Sequence, residues 1–178
     1  MTGECRLDRD LRRLVVANLT DQWGDIPYSD ALRADSGVVA PKYDAQKDIY
    51  AGFFATFKTA ADAMTASPAG SPTLGSSDPI YGGDVAKWRR FNNSLHARYA
   101  MRLINVDPAT SDAELKAAFS DPGGVFRSNA DNAKLVWPGD GIYDNPFASG
   151  VKSRLDVRLA RTLTSLMTND PRIKIYGT

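Results

Sequence analysis

One cysteine, one histidine and two glutamates are what this 178-residue chain has least of, and each scarcity removes a class of chemistry. A lone Cys5 cannot close an internal disulfide or build a cysteine-rich metal site. A lone His96 excludes the paired-histidine zinc motifs and leaves few routes to a catalytic imidazole. The net charge of +1 provides no basic footprint for nucleic acid. No run of about 18 apolar residues is present, so nothing in the sequence reads as a membrane span. The first residues, Met1 to Leu7, lack the apolar core of a secretory signal, and Cys5 follows no hydrophobic run, which makes it a poor lipid-attachment site.

What is present is aspartate: nineteen of them, against Glu4 and Glu114 alone. Aspartate favours turns and helix starts whereas glutamate favours helix interiors, so the imbalance predicts short helices joined by Asp-rich loops. Leu7, Leu11, Leu14, Val15, Leu19 and Trp23 recur at helical spacing, so residues 7–22 read as an amphipathic helix. Gly24 to Pro27 stops that helix, and the connection 24–43 is expected to be anchored by Tyr28, Leu32 and Tyr43. Asp44 is placed to cap a second helix whose buried side would be Ile49, Tyr50, Phe53, Phe54, Phe57, Ala60, Ala61 and Met64. Residues 66–83 are a loop by composition. Asp84 caps a third helix, about 84–105, with Trp88, Phe91, Leu95, Tyr99 and Leu103 on one side and a row of Lys and Arg on the other. Ser111 and Glu114 suggest a capping box for a short fourth helix ending at Asp121-Pro122. An irregular stretch, 121–150, precedes a last helix from Ser153 with Leu155, Leu159, Leu163, Leu166 and Met167 inside. Ile173 to Tyr176 is the best short strand candidate. The reading is an all-α, tetratricopeptide-like set of helical pairs with long irregular loops, forming a single helical domain over 1–178. No 34-residue repeat is visible.

Few residues single themselves out for chemistry. The basic third helix reads as a row of cations paired with aspartates of nearby loops, and His96 as a satisfied or exposed side chain. Two carboxylates could act on a sugar as acid and base, but no pair stands out, and no phosphate loop, nucleophile elbow or EF-hand spacing appears. The sequence reads as that of a non-enzyme with no cofactor and no metal motif, although Asp-rich loops could still hold Ca²⁺ through backbone carbonyls. The best ligand-site candidate is 129–147, where Trp137, Tyr143, Asn132, Asp144 and Asn145 combine flat rings with amide and carboxylate groups. Such a mixture suits sugars or peptides, and equally a long loop clamped to a helical body through Trp137.

The ordered motifs carry a resemblance. Trp23-Gly24-Asp25-Ile26-Pro27-Tyr28-Ser29-Asp30-Ala31-Leu32 is followed by Pro41-Lys42-Tyr43-Asp44. Then come Tyr81-Gly82-Gly83-Asp84-Val85-Ala86-Lys87-Trp88, Phe91-Asn92-Asn93-Ser94-Leu95 and Arg98-Tyr99-Ala100-Met101-Arg102. Asp131-Asn132-Ala133, Asn145-Pro146 and Asn169-Asp170-Pro171-Arg172 complete the series. Over residues 7–176 this order resembles the SusD/RagB-like nutrient-binding lipoproteins of the Bacteroidetes outer membrane. The resemblance implies a helical scaffold without catalytic residues that captures oligosaccharides or, in the RagB branch, peptides. It also implies delivery to a TonB-dependent, SusC-like transporter, at the cell surface, through a lipid anchor that this chain lacks. The matched residues look like scaffold, so no binding residue transfers by motif. A general helical protein-interaction scaffold is the alternative function. Members of the family are longer at both ends, which predicts uncovered apolar surface on helices 44–64 or 153–168.

Overall fold

The computed structural model describes residues 6–65, 75–147 and 160–173, with side chains from Leu14 onward. The chain divides into two compact units, Met1–Lys134 and Leu135–Thr178.

The first unit holds four helices: α1 (Arg6–Trp23), α2 (Gln46–Thr65), α3 (Val85–Arg102) and α4 (Pro108–Ser120). Side-chain register shows how they pack. Tyr50 meets Tyr99, Phe54 meets His96, and Asn92 Nδ2 donates to the Phe57 carbonyl at 3.1 Å, so α2 and α3 run antiparallel. His96 meets Glu114 and Arg89 meets Asp121, so α3 and α4 also run antiparallel. These are helical pairs of the tetratricopeptide kind, and α3 lies between two partners.

That position explains why α3 buries Asn92, Asn93 and His96 beside Trp88, Phe91, Leu95 and Tyr99. A helix covered on two sides has no solvent stripe wide enough for all its polar residues, and each buried one needs partners. Asn93 donates to Asp121 Oδ1 at 2.8 Å and to the Gly124 carbonyl at 2.9 Å. On α2, all eight apolar residues predicted to face inward are buried. Phe57 stacks on Tyr99 with centroids 6.1 Å apart, and Phe53 takes Tyr28 edge-on at 5.9 Å. Truncating Phe57 to Ala would cost about 3–5 kcal/mol by removing such contacts and leaving a cavity.

Several expectations about helix starts and anchors are corrected. Gly24, at φ +74°, ends α1 as foreseen, its N–H reaching the Thr20 carbonyl at 2.8 Å. Of the three anchors, only Tyr28 packs against the core; Leu32 is 88% exposed and Tyr43 71%. Asp44 does not cap α2. Its carboxylate accepts from the Tyr28 and Ser29 amides and the Ser29 hydroxyl, while Asp25 accepts from Gln46 N–H at 2.9 Å. A short ladder, β1 (Ile26–Pro27) with β2 (Tyr43–Asp44), is antiparallel and sets this exchange: it brings the Asp25 loop to the start of α2. The fourth helix begins at Pro108 with Asp107 as its cap, accepting from Thr110 N–H. Ser111 is therefore a buried interior residue and Glu114 an inter-helix partner. A capping box occurs instead at Ser128 and Asp131, around the 3₁₀ turn Asn129–Asp131. The α2 face predicted to be uncovered is closed.

In the second unit, residues 135–145 are irregular, residues 146–147 are helical although 121–150 was expected to be irregular throughout, and α5 (Arg161–Leu166) follows. Residues 153–159 of the predicted last helix lie outside the described residues. Leu163 and Leu166, expected inside, are exposed. Ile173 is helical rather than extended, and residues 174–176 lie outside the described residues.

Candidate functional site

The charged groups of the first unit are occupied by structure. Asp78, 5% exposed, accepts from Trp88 Nε1 at 2.7 Å and from the amides of Ile80, Tyr81 and Gly83. Burial pushes its carboxyl upward, but those four donors outweigh it and leave the group below the usual range. Asp131 accepts from Arg90 at 2.9 Å and from the Arg127 and Ser128 amides, while its own carbonyl takes the Tyr81 hydroxyl at 2.6 Å. Arg89 pairs with Asp121, and Arg102 with Asp21. Three of the α3 cations thus meet aspartates, Arg89 and Arg90 those of the following loops and Arg102 that of α1.

His96 is a satisfied side chain, but not on a polar side: it is 3% exposed, stacked on Phe57 at 5.5 Å. Its Nε2 lies 2.7 Å from Glu114 Oε2, and Lys58 donates to the other oxygen at 2.8 Å. One carboxylate therefore joins α2, α3 and α4. No group of three or more His, Cys, Asp and Glu side chains that could hold a metal occurs among the described residues, and no described helix is long and apolar enough to cross a membrane.

Asn132 belongs to the first unit, exposed at the end of the Asn129–Asp131 turn. Trp137, Tyr143, Asp144 and Asn145 belong to the second. Here the backbone is shaped by Pro and Gly: Gly139 and Gly141 have φ +71° and +86°, which only glycine adopts freely. Asp140 Oδ1 accepts from the amides of Ile142 at 2.9 Å and Tyr143 at 2.8 Å. Asp144 Oδ1 reaches back to the Gly141 amide at 3.0 Å, and Asn145 Oδ1 takes the Phe147 amide at 2.9 Å. The Asp140 and Asn145 bonds are Asx turns, in which a short polar side chain replaces a backbone acceptor, while the Asp144 bond runs back across the loop. The rings stay in water: Trp137 is 41% exposed, Tyr143 64% and Phe147 76%. Phe147 and the exposed Ile142 were not singled out from the sequence, although Asn-Pro before Phe147 is a turn signal that could have marked it. A shallow, open depression of about 450 Å³ follows α5, lined by Ser165, Leu166, Thr168, Asn169, Asp170 and Pro171. It has no aromatic face, and Arg172 pairs with its Asp170.

Comparison with known proteins gives the arrangement a context. Residues 8–178 match the SusD-like family described as "Starch-binding associating with outer membrane". A chitin-binding SusD homologue from Flavobacterium johnsoniae shares 34% identity over 94% of this chain, with a TM-score of 0.81. A further chitin-binding protein shares 32% over 96%, at a TM-score of 0.75. A SusD homologue from Bacteroides vulgatus shares 28% over 96%, at 0.78. The chain spans 35%, 35% and 34% of those three structures, about a third of their length. No curated protein matches. The helical pairs, the order of the motifs and the match along almost the whole sequence agree, and the chain belongs to the SusD-like family of outer-membrane-associated binding proteins.

Proposed function

We propose that this chain is part of a cell-surface protein that captures oligosaccharides and passes them to a TonB-dependent, SusC-like outer-membrane transporter. The observation that carries the reading is the family match over residues 8–178. Two of the most similar structures are described as chitin-binding, which makes N-acetylglucosamine oligomers the first cargo to test. The exposed rings of Trp137 and Tyr143 supply flat apolar faces, the groups that pack against the C–H side of a pyranose while its hydroxyls stay wetted. Asp144 and Asn145, in the same unit as those rings, are the polar residues proposed to support them. Attachment to the outer membrane would come from a lipid anchor.

A glycan array carrying chitin, starch and hemicellulose oligomers, run beside a peptide pool, tests the proposal. Wild-type protein is expected to retain one glycan class, with weaker retention in Trp137→Ala and Tyr143→Ala. Retention of peptides alone would redirect the reading to the RagB branch. Unchanged glycan binding in both variants would remove Trp137 and Tyr143 from the site.

A further inference from the structure

The bonds inside residues 140–147 divide labour between polar and apolar side chains. Asp140 reaches forward to two amides and Asp144 back to Gly141, so the pair closes the turn from both ends. Asn145 then fixes Phe147 N–H, with Pro146 between them. One carboxylate oxygen each of Asp140 and Asp144, and the Asn145 amide oxygen, are therefore engaged by the loop's own backbone. Ile142 and Tyr143 on the turn, and Phe147 in the helical residues that follow it, are the large apolar side chains of this segment. They stay 80%, 64% and 76% exposed on a frame that holds them there. Large side chains left in water on a pinned turn are arranged for contact, since preorganisation reduces what binding must order.

We propose that this turn is a preorganised stacking tip. Tyr143 and Phe147 present ring faces to a pyranose, and Asp140 is the positioning residue that holds the turn in place. The inference rests on the glycan-binding reading, adds Phe147 as a contact, and gives Asp144 and Asn145 the role of frame rather than ligand contact. A sugar is favoured as occupant over an aliphatic partner because two of the three side chains are flat rings, and because the family description and two relatives name glycans.

The test is titration calorimetry of the full chain with chitotetraose and with maltotetraose, beside thermal unfolding of each variant. Phe147→Leu keeps apolar bulk without a ring and should weaken binding about tenfold, whereas Phe147→Tyr should bind like wild type. Asp140→Ala should lose affinity several-fold at unchanged melting temperature. Asp140→Asn, whose carbonyl can accept the same two amides, should restore it. Wild-type binding to neither sugar sinks the glycan reading itself. Wild-type binding with Phe147→Leu and Asp140→Ala both within about twofold of it leaves that reading standing and overturns this one. An Asp140→Ala loss that Asp140→Asn does not restore would likewise remove Asp140 from its role.

Discussion

Two buried titratable residues, His96 and Asp78, are among the groups that set how this protein responds to acid. Burial is the largest influence on His96 and pushes its imidazole below the ordinary 6.5; the bond to Glu114 and its charge push back without reversing the direction. Folding therefore favours neutral His96, so the unfolded chain binds more protons once pH falls below about 6.5. Stability is then complete above 6.5 and declines as pH drops from there toward the folded value. Asp78 is depressed below 3.8, which leaves its contribution intact above that value and removes it at lower pH. Urea unfolding from pH 8 to 3 should thus show two declines, the first beginning near 6.5. In His96→Gln, whose amide can still donate to Glu114, the first decline should vanish. Asp78→Ala should lower stability at pH 7 by about 3 kcal/mol, since it leaves the Trp88 indole and three amides unpaired. A pH-independent plateau from 8 to 4 in the wild type would show that Glu114 cancels the burial of His96. At this scale the sequence was legible in type but not in partner. Asp78 stands before Pro79, which reads as an ordinary turn residue. That it gathers an indole ten positions away depends on tertiary placement.

Elements show the same division more clearly. The inward side of α2 could be read in full from its spacing because helical periodicity is local and every apolar residue on it finds cover. Caps were harder. Asp44 stands two residues before the first residue of α2, yet the bond to Gln46 comes from Asp25, 21 residues earlier, brought there by the β1–β2 ladder. Sequence proximity favoured the wrong carboxylate, since only the folded ladder decides which one faces the helix end. Asp25→Ala should accordingly cost about 1 kcal/mol and speed hydrogen exchange at the Gln46 amide. Asp44→Ala should leave Gln46 exchange unchanged and loosen Tyr28 and Ser29 instead. Faster exchange at Gln46 in Asp44→Ala alone would restore Asp44 as the cap. The candidate site was legible in the same partial way: Trp137 and Tyr143 stand out as rings in a polar stretch. The self-bonding of Asp144 and Asn145 follows from turn geometry, which composition does not reveal.

For the whole molecule, the question is which surface the helical pairs leave uncovered. The sequence placed it on α2 or on the last helix. The structure closes α2, leaves Leu163 and Leu166 of the last helix exposed as expected there, and also opens α1, where Val15, Leu19 and Trp23 are 59%, 40% and 66% exposed. Spaced i, i+4 and i+8, they fall on one stripe of the helix. Asp21 lies on another side of it and is held by Tyr50 and Arg102, so the stripe is not an effect of a loosely packed helix. A continuous apolar row of this kind on a surface promotes association. The chain by itself should therefore self-associate with rising concentration, and Leu19→Glu with Trp23→Ser should reduce it while leaving the helical circular dichroism unchanged, because neither side chain belongs to the core. Sedimentation velocity between about 5 and 100 µM, the range in which weak hydrophobic contacts become populated, would show it. A single monomeric boundary for wild type throughout would mean that three exposed residues on one helix are too small a patch to drive association. Equal association of wild type and the double variant would move the sticky surface elsewhere, first to the exposed Leu163 and Leu166 of α5.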